Sequence, residues 1–287
     1  MSQAPTRKRP PMDAKHGTTP TEAVTSPTAT AGSRRRFTGL RSAGKAAVGM
    51  LAVLTIWELV VRALRLPEYL MVGPLAAFSR LVETPEYFLS EAWVTVQEAL
   101  AGFALGTALG VLCGAVLYYV PLLRHFLYPT LIAFDTIPKV ALAPLFIVWF
   151  GFGFGSKALV AMAIAFFPLV INTFDGLSSV PEELKELARI NRAGAWMRMT
   201  KIEFIYALPS VFTGAKISIS LAVGGAVVGE FIAGSEGLGQ VVLLANSQVD
   251  LPTMFAAFMV LAAISLVFFS LINVIAQRLL PWRNHVR

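Results

Sequence analysis

Residues 179–209 read SVPEELKELARINRAGAWMRMTKIEFIYALP, and this stretch decides the fold. It is charged and helix-forming, with a long apolar block on either side. A soluble island of this size between membrane-length blocks implies a surface for a partner protein. Ser179-Val-Pro-Glu182 has the spacing of a capping box with proline in the first turn. Glu182, Glu183 and Glu186 come early in the predicted helix and Arg189 and Arg192 late, which suits the helix dipole. Leu184, Leu187, Ala188 and Asn191 recur at i, i+3, i+4, i+7 and predict one exposed or docked stripe. Gly194 is placed to end the helix. Trp196–Tyr206 reads as a second amphipathic segment, expected to lie along the membrane face.

The surrounding composition makes the chain an all-α integral membrane protein. Its 287 residues are 56% hydrophobic and only 14% charged, and the mean hydropathy is +0.66. Apolar runs near the length of a roughly 30 Å hydrocarbon core recur along it. They lack the alternation of a membrane barrel, so helices are the spanning option. The net charge of +7 gathers outside these runs, which points to cytoplasmic flanks facing anionic lipid and not to nucleic acid. Cys113 stands alone inside an apolar run, and His16, His125 and His285 are scattered, so neither a disulfide nor a metal pattern arises.

Working outward gives six predicted spans: 46–64, 94–119, 128–150, 158–174, 209–232 and 254–279. Residues 1–45 are rich in Pro, Thr and Ala, carry RKR at Arg7–Arg9 and RRR at Arg34–Arg36, and predict a disordered basic tail. Residues 281–287 form a short basic C-terminal tail. Pro67, Pro74 and Pro85 break the stretch from Arg65 to Trp93, read as an outer loop with short interfacial helices. Lysine and arginine counts place both termini and the 179–208 loop in the cytoplasm.

Several stretches carry more detail. Gly102, Gly106, Gly110 and Gly114 are four apart and form one ridge for close helix packing; Gly225 and Gly229 repeat the spacing. Pro138 and Pro144 interrupt the third span, where Asp135 and Lys139 share a face. These two, with Asn172 and Glu230, are the candidate pathway-lining groups, because ionisable or polar side chains at membrane depth are functional suspects. Lys216 is expected to snorkel toward the cytoplasm. GFGFGSK at Gly151–Lys157 lacks the phosphate-loop spacing, and GSEGLG at Gly234–Gly239 lacks the dinucleotide one.

The motifs together resemble the permease subunits of bacterial ABC importers, in the nitrate/sulfonate/taurine/bicarbonate branch. Glu186-Leu187-Ala188-Arg189 stands where that family's cytoplasmic EAA motif begins, and Leu208-Pro209 closes it. AGFALG at Ala101–Gly106, IPKVALAPLFIVWFGFG at Ile137–Gly153, FFPLVINTFDGL at Phe166–Leu177 and GEFIAGSEGLG at Gly229–Gly239 look like the same branch. The family's usual glycine falls at Arg192, with Gly194 displaced by two.

The resemblance implies a six-helix type I permease fold in the cell inner membrane, working as a permease dimer, with lipid around it. Two separate ABC ATPase subunits would hold ATP and Mg, this chain holding no cofactor and no metal. An extracytoplasmic binding protein would deliver a small anion such as a sulfonate, taurine, nitrate or bicarbonate. Glu183, Glu186, Leu187, Ala188, Arg189, Arg192 and Gly194 would form the ATPase-coupling loop. The chain itself would not be an enzyme. A self-contained secondary transporter or channel would instead show inverted repeats and mid-membrane charge relays. An intramembrane enzyme would show paired carboxylates or a Ser/Lys or His constellation at membrane depth, and none is expected.

Overall fold

The computed structural model describes residues 34–65, 67 and 70–281, with side chains from residue 48 onward. The tail expected over 1–45 lies outside these residues up to 33, and the C-terminal tail from 282. Two units separate, Met1–Val53 and Leu54–Arg287. In the first, the described part is helical from Arg34. RRRFTGLRSAGK contains no proline to stop the helix that follows it.

Every regular element among the described residues is helical. In order these are α1 (Arg34–Ala63), α2 (Pro74–Glu83), α3 (Pro85–Tyr119), α4 (Pro121–Asp135), α5 (Ala143–Phe150) and α6 (Phe154–Ser178). There follow α7 (Glu182–Ile190), α8 (Ala195–Arg198), α9 (Phe204–Ala233), α10 (Leu238–Ser247) and α11 (Leu251–Leu279). Proline opens α2, α3 and α4, where its missing N–H costs nothing and its fixed φ suits the first turn. The segment 85–93, expected as loop, is therefore the start of α3. At 35 residues and 1.5 Å per residue, α3 is about 50 Å long and outruns the hydrocarbon core.

Among the described residues, α3, α6, α11 and the continuous helix Ala195–Ala233 are long and apolar enough to cross a membrane. The third expected span differs from a kinked helix. It is two pieces, Pro121–Asp135 and Lys139–Phe150, bent by 92° at 136–138. Pro138 cannot donate its backbone N–H, and Lys139–Leu142 tightens to a 3₁₀ turn before α5 begins.

The core of the second unit is the packing of α6 along both α3 and α9. Gly102, Gly106, Gly110 and Gly114 all turn to α6 of the same chain. A Cβ on Gly110 would stand 2.7 Å from Leu169 Cβ, and one on Gly114 would stand 2.7 Å from the Val170 carbonyl oxygen. From the other side, a Cβ on Gly225 would lie 2.7 Å from Ala161 Cα, and one on Gly229 3.0 Å from Lys157 Cα. Ala99, Ala161, Ala165, Ala222, Val223 and Ala226 fill what remains. In lipid, such small residues let dispersion and Cα–H contacts act at short range. Phe88, Leu238 and Val241 anchor a cluster at the α10 end, and Leu117, Val170 and Phe174 one at the α7 end. Leucines on α3 and α11 such as Leu105, Leu112 and Leu266 remain exposed, as lipid-facing side chains do.

Candidate functional site

The segment between α6 and α9 forms one compact helical excursion. Its start differs from the expected capping box. Pro181 is the N-cap of α7, no side chain caps the helix, and the Ser179 hydroxyl donates instead to the Gly176 carbonyl, 2.8 Å away. Ser179 is spent on ending α6. Glu182 then pairs along α7 with Lys185 at 3.2 Å and Arg189 at 3.1 Å. Those cations, Lys185 first, hold its carboxyl below the usual range.

The end of α7 also differs. The helix closes at Ile190, and Arg192 adopts a left-handed φ of 52°. Ala193 N–H bonds the Ala188 carbonyl at 2.9 Å and Arg192 N–H the Arg189 carbonyl at 2.9 Å. These are the two bonds of a Schellman cap, whose left-handed position favours glycine. Arg192 stands where the resemblance expects glycine, and the backbone takes the glycine conformation with an arginine in it. Gly194 does not end α7; it precedes α8 with φ −60° and ψ 157°.

The predicted stripe splits between two faces. Ala188 is buried and Leu184 half-buried, whereas Glu183, Glu186, Leu187 and Ile190 are exposed. The four exposed positions keep the i, i+3, i+4, i+7 spacing, one residue out of phase with the expected stripe. Trp196 and Met197, missed by that reading, are 74% and 57% exposed beside them. The Trp196–Tyr206 segment is no separate surface helix. A π-helical turn at Met199–Glu203 joins α8 to α9, and the helix runs on through Pro209.

The four candidate pathway groups occupy three separate places. Asp135 and Lys139 pair at 2.7 Å across the α4–α5 break, with Lys139 Nζ 4.8 Å from the Phe167 ring centroid. Asn172 donates to the Pro168 carbonyl at 2.8 Å and lies under Gly214 at the α6–α9 contact. Glu230 is fully buried at the α10 end. Lys216, expected to snorkel, instead donates to Asn273 of α11 at 2.6 Å.

Glu230 belongs to a polar knot that sequence reasoning did not assemble. Its carboxylate accepts from the Thr95 hydroxyl at 2.6 Å and from Gly239 N–H at 2.6 Å. Thr95 Oγ1 accepts from Leu238 N–H at 2.9 Å, and Glu91 accepts from Gly237 N–H at 2.5 Å. Gly237 has φ 107°, and a Cβ there would collide with the Glu230 carboxylate. Close by, Lys157 of α6 and Glu98 of α3 form an ion pair, both side chains buried. Glu98 and Glu230 interact electrostatically, so paired carboxylates do occur at membrane depth, against expectation. Held this way, the three groups join α3, α6, α9 and the N-terminus of α10.

Known proteins extend this picture. Residues 106–282 match the family model of the binding-protein-dependent transport system inner membrane component. The chain is 34% identical over 235 residues to the formylaminopyrimidine transport permease ThiX of Halalkalibacterium halodurans, covering 82% of this chain and 94% of that one. It is 36% identical over 237 residues to the riboflavin transport system permease RibX of Chloroflexus aurantiacus, covering 82% and 88%. The putative aliphatic sulfonates transport permease SsuC of Bacillus subtilis is 31% identical over 237 residues, with 81% and 85% covered. Among solved structures, a chain of the inward-facing MetNI methionine ABC transporter superposes with a TM-score of 0.62 at 18% identity, covering 69% of this chain and 98% of that one. That likeness shows the type I permease fold. With four long apolar helices and a bent pair around an Ala/Gly core, the chain belongs to the binding-protein-dependent transport permeases: a multi-pass inner-membrane subunit of an ABC importer, not itself an enzyme, whose ATPase is a separate subunit.

Proposed function

We propose that the chain works as a homodimer with two ATPase subunits, α7 entering each ATPase from the cytoplasm. The observation carrying this reading is the exposed face Glu183–Glu186–Leu187–Ile190, extended by Trp196 and Met197. Exposed apolar side chains on a charged helix outside the bilayer call for a partner. Six crossings follow if the bent pair counts as one and α1 as another, since Val48, Leu51, Ile56 and Leu59 present an apolar surface. Both termini are then cytoplasmic, in keeping with the basic flanks. ATP and Mg bind the ATPase, and a binding protein docks on the opposite face.

The cargo is a small solute, and two classes are supported. A small anion such as a sulfonate, taurine, nitrate or bicarbonate fits the motif resemblance and the likeness to SsuC. A heterocyclic vitamin or its precursor fits ThiX and RibX, at 34% and 36% identity. The Asp135–Lys139 pair favours the second class, because Lys139 is already neutralised at 2.7 Å.

The deciding experiment is to purify the tagged chain from its native membrane, identify what accompanies it, and titrate the accompanying binding protein by calorimetry with taurine, an alkanesulfonate, nitrate, bicarbonate, riboflavin and a formylaminopyrimidine. In the reconstituted complex Glu186→Lys should uncouple ATP hydrolysis from uptake. Unchanged coupling in that variant defeats the assignment of α7. A chain that purifies alone and transports without ATP is a secondary transporter.

A further inference from the structure

The π-helical turn at Met199–Glu203 ends on a buried carboxylate. Glu203 is 2% exposed. Its Oε2 accepts from the hydroxyl of Tyr119, the last residue of α3, at 2.5 Å. Its Oε1 lies 3.1 Å from Arg198 Nε, an ion pair short of hydrogen-bond alignment. The ring of Tyr119 meets that of Tyr118 edge to face at 4.8 Å, and Lys185 Nζ of α7 lies 5.9 Å from the Tyr118 ring centroid. A line of contacts thus runs from α7 to the end of α3 and into the turn that begins α9. Beside it, a groove of about 560 Å³, lined by Val111, Tyr119, Met199 and Phe204 among others, separates α3 from the turn. Polar contacts, more than apolar packing, bridge the two here.

We propose that Tyr119, Glu203 and Arg198 form a positioning clamp that delivers displacement of α7 and α8 to α3 and α9. The proposal rests on the reading of α7 as the ATPase-docking helix. A buried carboxylate is costly unless its partners stay in place, so the clamp resists separation of its three members. A π turn holds its backbone in a rarely adopted winding, one often found at functional sites. If α7 is pushed, Arg198 and Glu203 move with the loop, and Tyr119 takes the end of α3 along. The loop already runs into α9 as one helix, and the Tyr119–Glu203 bond adds its grip on the end of α3.

Two measurements on the full-length chain separate the clamp from the docking reading. Hydrogen exchange in the purified chain reads the clamp itself. Glu203→Gln and Tyr119→Phe should each speed exchange across 182–203 about tenfold, the loss of roughly one charge-assisted hydrogen bond. Unchanged exchange overturns the clamp. Uptake per ATP hydrolysed, in proteoliposomes with the ATPase and binding protein, reads its use. Both variants should assemble normally, keep basal hydrolysis, and lose about fivefold of the ratio, as expected for one net hydrogen bond; the double variant should be no worse than either single one. Uptake and hydrolysis falling in parallel with assembled yield would reduce the trio to a structural role and overturn the proposal. Leu187→Asp leaves the clamp intact, so full coupling in that variant would defeat the docking reading alone.

Discussion

Lys157 of α6 is ion-paired with Glu98 of α3, with side-chain exposures of 8% and 1%. The other charged group that acts strongly on Glu98 is the Glu230 carboxylate, so the lysine is its main compensation. Removing one partner of a buried pair costs about 3–5 kcal/mol, whereas replacing both by apolar groups is near neutral. Lys157→Met should therefore sharply lower the melting temperature in detergent, and Lys157→Met with Glu98→Leu should recover most of it. A double variant as unstable as the single one would mean that Glu98 has another role in the knot.

The glycine ridge is graded. A Cβ at Gly106 would stand 3.3 Å from its nearest neighbour, Ala165 Cβ, whereas at Gly110 and Gly114 the nearest approach is 2.7 Å. Gly106→Ala should be tolerated within about 1 kcal/mol, while Gly110→Ala and Gly114→Ala should cost about 1–3 kcal/mol through overpacking. Thermal unfolding of the three alanine variants checks the order. Equal tolerance at all three positions would show that α6 can shift away.

Among the described residues three helices end on left-handed residues other than glycine, α1 at Arg65 (φ 47°) and two more that show both bonds of the cap. Arg192 closes α7 at φ 52° and Val249 closes α10 at φ 59°. Asp250 N–H bonds the Ala245 carbonyl at 2.9 Å, so the second cap repeats the first. A non-glycine residue in this region costs about 1–2 kcal/mol, which glycine avoids at a smaller entropic cost. Arg192→Gly and Val249→Gly should each stabilise by about 0.5–1 kcal/mol. Val249 carries the larger expected gain, being β-branched.

Acid should loosen α7. Glu182 ionises more readily in the folded chain than in the unfolded one, because Lys185 and Arg189 face it. Its contribution is complete above the ordinary glutamate pKa of about 4.3 and is lost as pH falls through the lower folded value. Amide protection of 182–190, followed by pH titration, should hold down to about pH 5 and drop below about pH 4. Glu182→Gln should remove that step.

Four of the six expected spans are legible because their apolar runs match the bilayer, and the helical excursion between α6 and α9 because charge interrupts those runs. Proline marks a helix start as readily as a break: Pro85 opens α3 and does not end a loop. The 92° break was signalled by Pro138 but not its size, since one missing N–H fixes the place of a bend and tertiary contacts fix its angle. Gly194 marks the helix end by residue type alone, whereas the left-handed backbone falls two residues earlier, at Arg192. The polar knot is not assembled from sequence because its members are distant along the chain; the available signals are Glu230 and Glu98, carboxylates inside apolar runs. Glu203 gave no such signal, as it sits among other charges.

The seam joining α3, α6 and α9 is made of glycine backbone and alanine methyls. The polar groups buried along it, Lys157 with Glu98, Thr95 with Glu230 and Ser218 on the Ala165 carbonyl, are turned on one another and not toward a solute. Adaptation to new cargo must therefore be written on the larger side chains turned away from the seam, and can proceed there without renegotiating how the helices meet. Transplanting those outward faces between permeases, with the seam left untouched, is the route to redirecting uptake that this architecture offers.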